Sequence, residues 1–142
     1  MKRTHIFDMI TLLLIFLFVY TASSKLMDFG QFKVQMHHQA IPHRAVQVLI
    51  YILPVTEIVA AALLLFPKTR SWGLYMAFAL MLLFTGYAGL VLVNYFGHIP
   101  CSCGGVLKYM GWKSHFFFNL FFLLLTVIGI YITHRERRQT AN

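Results

Sequence analysis

The stretch Ala45-Val46-Gln47-Val48-Leu49-Ile50-Tyr51-Ile52-Leu53-Pro54-Val55-Thr56-Glu57-Ile58-Val59-Ala60-Ala61-Ala62-Leu63-Leu64-Leu65-Phe66 carries a single formal charge, on Glu57. As a helix rising 1.5 Å per residue it is about 33 Å long, enough to cross a hydrocarbon core of about 30 Å. Lipid offers no water to unpaired backbone groups, so a run of this length and character predicts a transmembrane helix. Residues 6–22, 72–96 and 115–133 read the same way. The chain has 142 residues, 59% of them hydrophobic and only 11% charged, so it has room for one domain and is too apolar for a soluble one. The expected architecture is all-α: a four-transmembrane-helix bundle occupying the whole chain as a single domain.

Lys2 and Arg3 ahead of an apolar run also describe a signal peptide, with Thr21-Ala22-Ser23-Ser24 as a cleavage site. The run 6–22 is longer than the usual apolar core of such a peptide, which predicts a retained helix. The net charge of +8 does not indicate a nucleic-acid partner, because the cations flank the spans, where they set topology and meet anionic lipid. With four spans, both termini and the middle turn share a side. That side holds Lys2, Arg3, Lys68, Arg70, Arg135, Arg137 and Arg138 in short segments; the other holds Lys25, Lys33, Arg44, Lys108 and Lys113. Short-segment cations face inward, so the termini are expected in the cytoplasm. The chain is then a multi-pass protein of a bacterial inner membrane, with the loop after residue 96 periplasmic or extracellular.

Residues 23–44 form the longest expected extramembrane segment. Leu26, Phe29, Phe32, Val34 and Met36 make it too apolar for a free loop. Its reading is a short extension of the first helix, a break at Gly30, then a segment lying on the outer surface until Pro42. In the middle turn, Pro67 is expected to stop the second span and Ser71 to cap the third. Ala60, Ala61 and Ala62, with Gly86 and Gly89, are expected to permit close helix approach. The phenylalanines between residues 116 and 122 cover more than one helix face and read as packing and lipid-facing residues.

The chemistry concentrates in Cys101-Ser102-Cys103-Gly104-Gly105, which holds every cysteine of the chain. Such a pair can exchange with a partner's disulfide, hold a soft metal, or form an inert bridge. Closing so short a loop removes little chain entropy, which weakens the inert reading. A disulfide between residues so close is strained, and strained disulfides are labile and suited to exchange. Zinc or cuprous copper would draw on His98 and His115 as well, though the spacing matches no standard zinc finger or ribbon. No residue is assigned as a metal ligand. His98 and His115 are auxiliary candidates that would lower a thiol pKa.

Glu57 is the second candidate. It falls near the centre of its span, three residues after Pro54, which frees a backbone carbonyl near Ile50. An acid at that depth marks a proton site or a ligand-binding group by default. The alternative is a structural hydrogen bond to Thr85, Tyr87 or Asn119. Lys25 and Asp28 are three apart and are expected to pair as an interfacial anchor. Asp8 is expected to meet Lys2 or Arg3. No phosphate-binding glycine loop, hydrolytic triad or paired carboxylates can be assembled.

Several of these stretches together resemble a known family. They are Ser24-Lys25-Leu26-Met27-Asp28-Phe29, Leu53-Pro54-Val55-Thr56-Glu57-Ile58, Phe84-Thr85-Gly86-Tyr87, the Cys101–Gly105 loop, and Trp112-Lys113-Ser114-His115-Phe116-Phe117-Phe118-Asn119. In this order they resemble the MauE (methylamine utilisation) branch of the DoxX-like membrane proteins, over roughly residues 20–131. The resemblance implies a four-helix membrane protein of disulfide or redox handling. Such proteins serve maturation of methylamine dehydrogenase, whose small subunit is rich in disulfides, beside a thioredoxin-like partner. By this resemblance Cys101 and Cys103 are the redox pair and Glu57 the family's acid. DoxX-type relatives are linked to quinol oxidation, which puts a quinone in view as a cofactor. Gly104 departs from the larger residue that often follows the second cysteine. The sequence leaves open whether the chain is an enzyme. The main expectation is thiol-disulfide exchange with an extracytoplasmic partner. The rivals are a non-enzymatic assembly or metal-binding protein, and a subunit of a quinone-linked oxidoreductase.

Overall fold

A computed structural model describes residues 2–95, 97 and 111–142. Among these described residues five helices follow in order: α1 (Lys2–Met27), α2 (Phe29–His37), α3 (His43–Leu65), α4 (Arg70–Leu92) and α5 (Trp112–Ala141). Among the described residues α1, α3, α4 and α5 are long and apolar enough to cross a membrane. The all-helical, four-span class expected from the sequence is what the fold shows.

The bundle is held by a core in which Leu14, Leu17 and Phe18 of α1 meet Ala60, Ala61 and Leu64 of α3, with Leu74, Ala77 and Met81 of α4. Ala60 and Ala61 are nearly inaccessible, so bulky α1 side chains rest on a small-residue face, whereas Ala62, expected to share that role, is exposed. Lipid-facing positions stay apolar: Leu12, Phe16, Leu83 and Phe117 are all more than half exposed. An apolar exterior of this kind suits a hydrocarbon solvent.

Three local expectations need correction. First, α1 has the expected extension, through Ser23, Ser24 and Lys25 to Met27, but the break falls at Asp28 and not at Gly30, which lies inside the next helix. That segment folds against the bundle. It forms α2, whose Phe32 and Met36 pack on Val46 and Ile50 of α3. Second, Ser71 does not cap α4. Thr69 occupies the N-cap position, and its hydroxyl donates instead to the Leu63 carbonyl at 2.9 Å, closing the end of α3. Third, of the two glycines expected at close contacts, Gly89 is at one, where an added Cβ would lie 3.3 Å from the Phe116 ring, but Gly86 is not, since a Cβ there would meet nothing within 4 Å. A tighter contact falls at Gly73, where a Cβ would lie 2.8 Å from the Leu64 amide nitrogen. Asp8 pairs with Arg70 across helices, at 3.4 Å; the side chains of Lys2 and Arg3, its expected partners, lie outside the described residues.

Helix α4 ends four residues before the expected residue 96. Asn94 adopts φ 58°, and the Tyr95 amide donates to the Leu90 carbonyl at 3.0 Å while the Asn94 amide donates to Val91 at 3.1 Å. This pairing is a Schellman motif, in which a left-handed residue satisfies the last free carbonyls of a helix. Pro54, by contrast, leaves α3 continuous from His43 to Leu65. The Thr56 hydroxyl is satisfied within its own helix, donating to the Leu53 carbonyl at 2.9 Å.

The Asp8–Arg70 pair and an Arg137–Ser71 hydrogen bond of 3.0 Å draw both chain ends to the α3–α4 turn. The connection between α4 and α5 therefore departs from the opposite end of the bundle.

Candidate functional site

In an α-helix each side chain leans toward the N-terminus. Lys25, near the end of α1, therefore reaches back along its own helix into the bundle. Its Nζ donates to Glu57 Oε1 at 2.7 Å, and the two side chains are 11% and 1% exposed. Glu57 is thus held by a cation of α1, and not by Thr85, Tyr87 or Asn119. Lys25 likewise is not paired with Asp28, whose carboxylate accepts the Gln31 amide at 3.3 Å as the N-cap of α2. An acid and a base from two helices balance each other in a place where either alone would be costly.

Beside this pair lies a cavity of about 340 Å³ between α2 and α3 on one side and α4 and α5 on the other. Lys25, Gln39, Tyr87, Trp112, His115 and Asn119 supply its polar lining. Most of the remaining wall is apolar, including Phe32, Leu53 and Phe84. Gln39 is fully oriented: its Nε2 donates to the Gln35 carbonyl at 3.2 Å, and its Oε1 accepts from the Tyr87 hydroxyl at 2.7 Å. Trp112 stacks on His115 with ring centroids 5.7 Å apart and meets Tyr87 edge-on at 6.0 Å. Asn119 is 4% exposed, yet its Nδ2 has no hydrogen-bond partner among the described residues; the same holds for His115 Nδ1. Two polar atoms on one cavity wall are thus without a hydrogen-bond partner among the described residues, where buried polar groups are nearly always satisfied.

Of the residues singled out in the sequence, the fold gathers Lys25, His115 and Asn119 on this cavity, with Glu57 directly behind Lys25. Pro54 is buried one helical turn from Glu57. Asp28 is a helix cap. Cys101, Cys103 and His98 lie outside the described residues. Among the described residues no three His, Cys, Asp or Glu side chains converge as metal ligands. The sequence reading missed Gln39, Tyr87 and Trp112 as members of one site. The aromatic spacing between Trp112 and His115 was visible, but its cross-helix partner Tyr87 was not.

The fold and this interior define a class: a four-span helical membrane protein with a buried ion pair and a polar-tipped apolar cavity. Residues 3–132 match the model of the family described as Methylamine utilisation protein MauE, and the chain belongs to that family. No curated relative matches it, and no solved structure does.

Proposed function

We propose that the chain is a membrane component of methylamine utilisation that exchanges disulfides with an extracytoplasmic partner while that partner matures. The reading rests on one observation: the entire thiol inventory, Cys101 and Cys103, lies in the single connection between α4 and α5. Membership in a family described by methylamine utilisation supports the pathway. The charge bias supports an outward loop and cytoplasmic termini, and an outward compartment is oxidising enough for a disulfide to persist.

The exchange balances without a further reactant. A thiolate of the partner's dithiol attacks one sulfur of the Cys101–Cys103 disulfide, and the other sulfur leaves as a thiolate. The partner's second thiolate then attacks the mixed disulfide. The partner ends oxidised, and Cys101 and Cys103 end as a dithiol with the two protons. Gly104 and Gly105 give the backbone freedom for both states, and Pro100 restricts its approach to Cys101.

Replacing one cysteine by serine removes the resolving thiol. Cys101→Ser and Cys103→Ser, expressed in the native host, are expected to accumulate a reducible mixed disulfide with a thioredoxin-like or disulfide-bearing protein, seen by non-reducing electrophoresis and mass spectrometry. Absence of any such adduct in both variants, with the protein correctly inserted, would overturn the reading.

A further inference from the structure

At the end of the bundle that holds both chain ends, a second cavity of about 260 Å³ opens between the start of α1, the α3–α4 turn and the end of α5. Phe7, Pro67, Arg70, Ser71, Glu136 and Arg137 contribute to its wall. Arg70 is held in place: its Nε donates to the Leu64 carbonyl at 3.2 Å and its Nη1 to Asp8 at 3.4 Å. The guanidinium also lies 5.6 Å from the centre of the Phe7 ring, and its Nη2 has no partner among the described residues. Arg137 is steered to the same space by its 3.0 Å hydrogen bond to the Ser71 hydroxyl oxygen, which leaves the Ser71 proton free to donate. Glu136, on the same wall, forms no ion pair among the described residues.

Two guanidiniums from different helices and one hydroxyl proton present a set of donors that suits a phosphate group. A simple anion is nevertheless a poor match. Asp8 offsets Arg70, Glu136 offsets Arg137, and Lys68, Arg135 and Arg138 are not in the wall. The lining is close to neutral and has two unmet demands: acceptor oxygens for the arginines and Ser71, and a cation for Glu136. The cavity lies where α1 and α4 begin and α3 ends, and the neighbouring Phe66 and Trp72 are 60% and 71% exposed, as aromatics of the membrane–water interface are. Lipid headgroups occupy that level. From these observations we infer that the cavity binds the phosphoethanolamine headgroup of a phospholipid. The phosphate accepts from Arg70 Nη2, Arg137 and Ser71, and the ammonium, which has three N–H donors, pairs with Glu136. A choline headgroup has no N–H to give and a glycerol headgroup has no cation, so each leaves Glu136 unmatched. The site is remote from the α4–α5 connection and uses no thiol.

The test is a lipid titration of purified, delipidated full-length protein in detergent, with bound lipid counted by native mass spectrometry. Phosphatidylethanolamine, phosphatidylglycerol and phosphatidylcholine with identical acyl chains are compared. Phosphatidylethanolamine is expected to bind about tenfold tighter than either of the others, the worth of one charge-assisted contact at an open site. Glu136→Gln, which keeps the shape and removes the charge, should abolish the preference over phosphatidylglycerol. Arg137→Ala should weaken phosphatidylethanolamine by about tenfold through loss of a phosphate donor. Both residues are exposed near the end of α5, so the bundle does not depend on them for its packing. Arg138→Ala, next in sequence but outside the wall, should leave binding unchanged. Inorganic phosphate and glycerophosphoethanolamine should not displace the lipid at equal concentration, because its tails add apolar burial. Equal displacement by either would overturn the lipid as the ligand. Equal affinity for the three lipids would overturn the site, as would unchanged phosphatidylethanolamine binding in folded Glu136→Gln and Arg137→Ala.

Discussion

Lys25 and Glu57, thirty-two residues apart in sequence, meet at 2.7 Å between α1 and α3 with both side chains withdrawn from the surroundings. Each ion loses most of its solvation there, at an effective cost of several kcal/mol, and mutual attraction offsets that cost only while both are present. The contact also fixes the relation of α1 to α3 at the level of the cavity. Only one carboxylate oxygen is bonded; Glu57 Oε2 has no hydrogen-bond partner among the described residues.

Single and double replacements at this pair should therefore differ sharply. Lys25→Met leaves an uncompensated acid and Glu57→Leu an uncompensated base, and each should destabilise the bundle by about 3–5 kcal/mol. The double replacement Lys25→Met with Glu57→Leu should recover most of the loss, because no isolated charge remains. Unfolding of the purified proteins in mixed micelles gives the cycle directly. Additive losses would show that the two side chains do not act as a pair.

Glycines offer a second, purely steric test. At Gly73 an added Cβ would sit 2.8 Å from the Leu64 amide nitrogen and 2.9 Å from its Cγ, against backbone that cannot yield. Gly73→Ala should separate α3 from α4 locally and lower stability by about 1–3 kcal/mol, the usual cost of overpacking. At Gly86 a Cβ meets nothing within 4 Å. Gly86→Ala should be neutral or stabilising by up to about 1 kcal/mol, the difference in helix propensity. A reversed order in thermal unfolding would contradict this packing.

Much of the fold was legible because membrane spans declare themselves by length and apolarity, and residues 45–66 alone predicted one. The details that were not legible depended on tertiary partners. Lys25 has a carboxylate three residues away in Asp28, so a local rule pairs them, yet Asp28 is used as the cap of α2 and Lys25 turns inward. The choice between Gly73 and Gly86 as a contact point depends on which face of α4 meets α3, and α4 is apolar all round. Asn119 was legible as a polar residue in a span, but its lack of a partner is a property of the packed bundle alone.

Topology is tested by the thiols themselves. If the short-segment cations face the cytoplasm, a membrane-impermeant maleimide added to intact, reduced spheroplasts should label Cys101 or Cys103. Cysteines introduced at Lys68, in the α3–α4 turn, should be labelled only after the membrane is opened, provided the native cysteines are replaced. The opposite pattern would invert the protein and remove the oxidising compartment on which the exchange reading depends.

The disulfide should also be recognisable by its energy. Structural bridges in secreted proteins have reduction potentials below about −300 mV, whereas strained ones lie higher and exchange readily. Cys101 and Cys103 enclose a single residue, so relaxed bridge geometry is difficult for the backbone to reach and the oxidised form is the strained one. Equilibration of the purified protein against dithiothreitol and glutathione buffers, followed by alkylation and mass measurement, should therefore place the pair above about −300 mV. Replacing Gly104 with valine should narrow the backbone conformations open to the loop and shift that potential without altering the stability of the four spans. A bridge that resists strong reductant would assign the cysteines to structure. A pair that never closes under oxidising buffer would remove disulfide exchange from the function of this loop.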